Sequence, residues 1–381
     1  MARLPVDGEA NWGQVLNEYL LVSHKADGAQ RSQSVSINVK DFGATGDGQT
    51  NDAPAIQSAI AALSAAGGTV IFPVGIYRTL ATIIVDKPHV IFQGEGSHSY
   101  SNEAVATQIR YEGSTTIAVQ IEPQSQGFGM EHMGISLPNN ASGTALLAKT
   151  GYGFLRDVKL FVRDLASNAP RTYGIGLQLG PNAAFWKVYG CKILSLNIGI
   201  EAQGDNSNLV ISDSNIESND IGVRLGTSGS VARATITNCS IEYNFTGGID
   251  VVKAIAVNLD NNYVEVGDVI TSPNGQGNVH KPSYYVQVGN NDQGYVPRNI
   301  TVQNNYITGN DSTDTGGIIR LRLVDKFILD NTYFNSSPGV IINNASTGTQ
   351  NIQVSNLTFV HSSGHILTTS NNGINGISVV I

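Results

Sequence analysis

A row of outward-pointing side chains recurs through the middle of the chain: Gln178, Glu201, Arg224, Asp250, Gln287, then Arg320 and Arg322. Each sits among alternating aliphatic residues, the pattern of a strand with one face buried and one face solvated. Glu201, Arg224 and Asp250 fall on successive repeats, and stacked strands lie about 4.8 Å apart. The two carboxylates then stand roughly 9–10 Å apart with the arginine between them. Inverting glycoside hydrolysis uses one carboxyl as acid and another to activate water, at roughly 6.5–9.5 Å. The competing reading is a solvated ladder of salt bridges, which needs no substrate. Both stand on sequence alone.

A second row is Glu217, Glu242 and Glu265, each directly after a repeated aliphatic residue. Three glutamates in register repel unless solvated or paired, and crowding raises a carboxyl toward the range of a general acid. Ile-Glu-x-Asn is equally an ordinary surface phrase of stacked repeats. Asp220, just ahead of Arg224, and Tyr243, beside Glu242, border the turn between the rows. A lyase would use such groups: a base removes the proton next to a uronate carboxyl while a cation holds that carboxyl. The catalytic candidates are therefore Glu217, Glu242, Asp250, Glu201 and Asp220. The substrate-binding candidates are Arg224, Tyr243, Glu265, Tyr284, Tyr285, Arg320 and Arg322. Tyrosines crowd the stretch from Tyr243 to Tyr306 and suit stacking on sugar rings. Tyr263 and Tyr306 occupy a repeat position, where packing on one another is the simpler expectation. His132, His361 and His365 lack the company of metal ligands, and neither a metal nor a cofactor is expected.

These rows depend on a repeat. Val210-Ile211-Ser212-Asp213-Ser214-Asn215-Ile216-Glu217 returns as Thr235-Ile236-Thr237-Asn238-Cys239-Ser240-Ile241-Glu242 and again from Asn258, Thr301, Ile328 and Gln353. The period is about 25 residues, except for a step of about 43 between Asn261 and Asn304, where extra chain falls in 267–283. A period in the twenties built of short β-branched runs marks a solenoid, whose turns bury their apolar edges on one another. Asp213, Asn238, Asn261, Asn304, Asn331 and Asn356 share one position, where a left-handed bend is needed and Asn tolerates it. Each phrase is followed by a glycine and another alternating run, giving about three short strands per turn. The expected class is all-β, a right-handed single-stranded parallel β-helix with an N-terminal capping α-helix. Segments 97–106 and 163–173 are expected to wall a groove.

The totals narrow the partners. The chain has 381 residues, only 14% of them charged, and a net charge of −8 with no basic stripe, which argues against nucleic acid. No apolar segment approaches the ~18 residues of a membrane span. The opening Met1-Ala2-Arg3-Leu4-Pro5 lacks the apolar core of a signal peptide. Cys191 and Cys239 fall two repeats apart, too far to bridge, and read as buried thiols.

Residues 1–34 differ from the rest. Trp12, Val15, Leu16, Tyr19, Leu20 and Val22 form the apolar stripe of one short helix that must dock on something. The segment resembles the openings of phage tail-fibre-like β-helix proteins, which implies a docking or trimerisation element followed by a linker. The domain of 35–381 then begins with Asp41-Phe42-Gly43-Ala44, Gly46-Asp47-Gly48 and Thr50-Asn51-Asp52. A helix at about 52–66 follows, with Asp52 as its N-cap, then Gly67-Gly68 and Val70-Ile71-Phe72-Pro73. This order resembles the pectate-lyase-like β-helix superfamily, which includes polygalacturonases and tailspike depolymerases. In that family the helix closes the end of the solenoid, so Asp41, Asp47 and Asp52 are expected to be structural. The polygalacturonase hallmarks Asn-Thr-Asp, Asp-Asp, Gly-His-Gly and Arg-Ile-Lys are absent, so no catalytic residue transfers.

The resemblance implies a polysaccharide-degrading enzyme, hydrolase or lyase, of tailspike type and homotrimeric. The alternative is a non-catalytic glycan-binding appendage. The expected location is extracellular or on a virion without a signal peptide, otherwise cytoplasmic.

Overall fold

The computed structural model describes residues 36–97, 106–139, 142–163, 173–266, 284–289, 295–309, 319–322, 324–336, 350–359 and 379–380. The chain divides into two compact units, Met1–Ser36 and Ile37–Ile381. The docking segment of 1–34, most of the expected groove walls and the insertion at 267–283 lie outside the described residues.

Strand follows strand around a repeated coil, and each pairs in parallel with its counterpart one coil away. One sheet holds nine strands: Ile83–Val85, Ile117–Ile121, Thr144–Ala148, Ile175–Leu179, Ile198–Ala202, Ile221–Leu225, Gly247–Val251, Tyr284–Val288 and Ile319–Leu321. The other 23 strands among the described residues form the remaining faces. The aliphatic residue at each inward position stacks on its equivalent: Ile200, Val223, Ile249 and Val286 pair in register and all are fully buried. The core is thus a set of columns, each about one side chain wide, which is what a fixed repeat with β-branched residues must build.

The bends explain the recurrent asparagine. His132, Asp157, Asp213, Asn238, Asn261, Asn304, Asn331 and Asn356 all have positive φ, for example 54° at Asn238 and 52° at Asn261. Their side chains bond between coils, Asn261 Nδ2 to Asn238 Oδ1 at 2.7 Å and Asn331 Nδ2 to Asn304 Oδ1 at 2.7 Å. Asn304 bonds Asp260 instead, also at 2.7 Å. A second amide ladder lies inside. Asn262 accepts from Cys239 N at 3.0 Å and donates through Nδ2 to Ile236 O at 3.0 Å and Asn305 Oδ1 at 3.1 Å. Buried backbone groups at the corner are satisfied in this way, as they must be away from water.

The helix, α1, spans Ala53–Ala62, shorter than the expected 52–66. It buries Ala53, Ile56, Ala59 and Ile60, and Gln57 closes the first strand edge by exchanging bonds with Ile84 O (2.9 Å) and Ile84 N (3.0 Å). It ends where Leu63 turns to an extended conformation, and Lys87 Nζ donates there to the carbonyls of Ala61 and Leu63. Asp52 does not cap through its side chain. Its buried carboxylate instead accepts from Thr45 N at 2.7 Å and Gly46 N at 3.1 Å, fixing the glycine-rich turn ahead of it. Asp47 likewise closes a turn onto Gln49 N and Thr50 N, both at 2.8 Å, and those bonds hold its carboxyl down at about 2. Both acids are structural.

Candidate functional site

The nine-stranded sheet brings the first row into register. Gln120, Leu147, Gln178, Glu201, Arg224, Asp250, Gln287 and Arg320 pair one with the next. Glu201 and Asp250 are each 7% exposed, so both carboxylates are largely removed from water. Glu201 Oε2 accepts from Gln178 Nε2 at 2.7 Å and Gln203 Nε2 at 3.4 Å. Asp250 Oδ2 accepts from Arg224 Nε at 3.3 Å and Oδ1 from Gln287 Nε2 at 3.4 Å. Burial raises the Asp250 carboxyl above its ordinary value, against the opposing pull of Arg224, Gln287 and Arg322. Glu201, held by neutral amides, and Asp250, held by a guanidinium, therefore have different surroundings two strands apart, the condition for distinct acid and base roles.

Tyr284 completes this constellation. It is 4% exposed, lies under the Arg320 guanidinium at 5.5 Å, and has its phenol raised by burial and then by the Asp250 charge. Gly247 makes room for it: a Cβ there would meet Tyr284 Cε2 at 2.1 Å. Tyr285 behaves otherwise. At 1% exposure it fills the core beside Ile241 and Gly248, so it reaches no substrate on this face and its assignment as a binding residue is corrected.

The second row is also in register, Glu217 with Glu242 and Glu242 with Glu265. Each carboxylate has its own partner: Lys192 Nζ stands 3.1 Å from Glu217, Ser240 Oγ donates to Glu242, and Tyr243 and Tyr263 donate to Glu265. Pairing relieves the expected repulsion. Tyr243 has its phenol raised by that bond first and by burial second. Burial, then the Glu265 charge, pushes Tyr263 up to about 12. Tyr263, Tyr306 and Tyr333 stack at 5.6 and 4.9 Å, so their faces are occupied by each other. Asp220 lies between the rows, with Thr246 Oγ1 donating to it at 2.6 Å.

Gln178 and Gln287 stood in the row by spacing but without a role, and Gln203 escaped notice, because a strand-face glutamine carries no motif of its own. Thr246 and Gly247 escaped for the same reason. His132 is structural in the expected sense, its Nδ1 2.7 Å from Asp157 Oδ2 at the first bends, while His361 and His365 lie outside the described residues. Among the described residues no group of three His, Cys, Asp or Glu side chains is placed to hold a metal ion. No helix among them is long and apolar enough to cross a membrane.

Comparison with known proteins agrees with this architecture. The family described as rhamnogalacturonase A/epimerase, pectate lyase-like, matches residues 36–117, and the right-handed β-helix region family matches residues 164–264. The chain is a right-handed parallel β-helix whose opening coils resemble the pectate-lyase-like family. Its fold is shared by DFA-IIIase from Arthrobacter chlorophenolicus A6 without its lid in complex with GF2: TM-score 0.70, 11% identity, covering 91% of this chain and 94% of that one. The A-module of mannuronan C-5 epimerase AlgE4 from Azotobacter vinelandii matches with TM-score 0.59 and 18% identity, over 91% and 98% of the two chains. In sequence, this β-helix is 67% identical to alginate lyase 7 of Azotobacter vinelandii over 71 residues, 16% of this chain. The match spans only 8% of that lyase, and matches to the mannuronan C5-epimerases of the same organism span 3–9% of theirs. Such short matches relate a segment, not a whole enzyme.

Proposed function

We propose that this β-helix degrades a polysaccharide, which lies along the outward row of the nine-stranded sheet and is cut by inverting hydrolysis. Asp250 is the general acid and Glu201 the base. Asp250 gives its proton to the glycosidic oxygen as that bond to the anomeric carbon breaks. Glu201 takes a proton from the water that attacks the opposite face of the same carbon. Two strand steps of about 4.8 Å separate the pair, at the upper end of the roughly 6.5–9.5 Å that room for water requires. The observation that carries the reading is the in-register triad Glu201–Arg224–Asp250 with both acids nearly buried. Names of similar proteins, an alginate lyase and mannuronan epimerases among them, support a glycan substrate.

A lyase is the second reading, favoured by Arg320 over the Tyr284 ring with Asp250 nearby. In it, the Asp250 carboxylate removes the proton beside a uronate carboxyl that Arg320 holds, the carbon–carbon double bond forms as the glycosidic C–O bond breaks, and the neutral phenol of Tyr284 gives its proton to the leaving oxygen. The two differ in product. Incubation with a panel of polysaccharides, read by reducing-end release and by the ultraviolet absorbance of an unsaturated uronate, separates them. Full activity in both Asp250→Asn and Glu201→Gln sinks the hydrolytic site. Stable glycan binding with neither product favours the binding appendage instead.

The tailspike-like setting belongs to the same proposal: a homotrimer, outside the cell or on a virion, assembled through residues 1–30. Its support is the resemblance of that opening. The mass in solution of the chain with and without residues 1–30 tests it, and an unchanged oligomeric state counts against it.

A further inference from the structure

The row that ends in Glu217, Glu242 and Glu265 begins with the opposite charge. Arg78 pairs with Arg110, Arg110 with Ser136, and the row runs on through Phe161 and Leu194 to the glutamates. The glutamates all have partners; the arginines are in surplus. Three guanidiniums face the single carboxylate of Glu112: Arg78 Nε at 2.6 Å, Arg163 Nη2 at 3.0 Å and Arg110 Nε at 3.6 Å. Burial alone would raise the Glu112 carboxyl, but the Arg78 bond and the charges of Arg163, Arg78 and Arg110 outweigh it and hold it low.

The three arginines are not equivalent. Arg163 is 7% exposed and also donates to Tyr111 O at 3.1 Å, so it is built into the fold. Arg78 donates to Gln49 O at 2.9 Å. Arg110 has only its contact with Glu112, too long for a hydrogen bond, and its buried Nε has no hydrogen-bond partner among the described residues. A charged donor left unbonded is costly unless something else bonds it. The Arg78 and Arg110 side chains are 29% and 32% exposed, so solvent reaches both. Arg78 and Arg110, the two that solvent reaches, thus share the single carboxylate of Glu112 in a chain whose net charge is −8.

We propose that Arg78 and Arg110 form an oxyanion subsite that holds a carboxylate or sulfate group borne by the polysaccharide. The inference rests on the reading that the chain binds a polysaccharide, and it makes that polysaccharide acidic. Paired guanidiniums present planar forks of donors that match an oxyanion, whereas a neutral sugar offers nothing to offset their charge. The coil of Arg110 continues into the strand of Gln120, three strand steps from Glu201, or roughly 14 Å along the stack. The subsite is thus remote from the reacting bond. It anchors one sugar residue while another reaches the carboxylates.

Calorimetric titration of the intact chain and of Arg110→Gln and Arg110→Lys tests this, with three probes: inorganic sulfate, an oligouronate and a neutral oligoglucoside. Circular dichroism first shows that each variant is folded. Expected are binding of sulfate and of the oligouronate but not of the neutral sugar, a loss of about tenfold in Arg110→Gln, and partial retention in Arg110→Lys. Equal affinities in the intact chain and Arg110→Gln overturn the subsite. Arg110-dependent sulfate binding with no preference for oligouronate overturns its assignment to a glycan. Normal cleavage of an acidic polysaccharide by Arg110→Gln, with unchanged KM, overturns the subsite while leaving the enzymatic reading standing.

Discussion

Arg224 Nε lies 3.3 Å from Asp250 Oδ2, across strands whose residues pair in register. The arginine side chain is 28% exposed and the aspartate 10%, so this ion pair is partly shielded from water. Replacing Arg224 by Met leaves the carboxylate with the Gln287 amide and the charge of Arg322. The expected result is a loss of about 1–3 kcal/mol of stability, read by denaturant unfolding. Little change in the unfolding midpoint would mean that Asp250 is better solvated than its exposure implies.

Asp250 also gives stability a pH dependence. Its carboxyl is raised in the fold, chiefly by burial, so the folded form holds a proton more readily than the unfolded chain. The contribution is fully present below the unfolded value of about 4 and fades as pH rises through the folded one. Asp250→Asn removes this titration. The Tm of Asp250→Asn relative to the parent should therefore climb between acid and neutral pH, and a flat difference would contradict the shift. Hydrolysis should be lost in the same variant.

The inner amide ladder should matter for stability rather than chemistry. Asn262→Ala strands Cys239 N, Ile236 O and one bond of Asn305 at a corner that water does not reach. A cost on the order of 3 kcal/mol is expected, with activity retained at temperatures where the variant is folded. Asn261→Ala, on the exposed ladder, should cost well under half as much. Equal losses from the two would show that burial is not what sets them.

The two thiols should be inert in the native protein. Burial pushes Cys191 up to about 12 and Cys239 up to about 11, so almost no thiolate is present at neutral pH. A thiol-specific chromogenic reagent should label neither until denaturant unfolds the chain. Rapid labelling of the native form would place at least one of them at the surface.

Gly226 tests the stacking directly. Its φ of +82° disfavours any side chain, and a Cβ would sit 2.0 Å from Lys253 O on the next coil. Gly226→Ala should destabilise by roughly 3 kcal/mol or more, seen as a large fall in Tm. A mild effect would mean that neighbouring coils separate easily.

Register was legible in the sequence because a repeat of β-branched runs and bend asparagines leaves few ways to stack. Gln178, Glu201, Arg224, Asp250, Gln287 and Arg320 align in the fold as their spacing requires. The glutamate row does too. Tertiary structure decided the rest. Whether Glu201 and Asp250 are buried, which amides hold them, and that Tyr285 turns into the core depend on side chains one coil away, about 25 residues distant in sequence. Asp52 shows the same limit: local pattern made it a helix cap, but a turn seven residues earlier took its carboxylate. The convergence of Arg78, Arg110 and Arg163 on Glu112 has no local signal whatever, since only coiling brings Arg78 and Arg163, 85 positions apart, onto one carboxylate. A periodic chain fixes which residues share a column; the charge, depth and company of each column arise only when the coils close on one another.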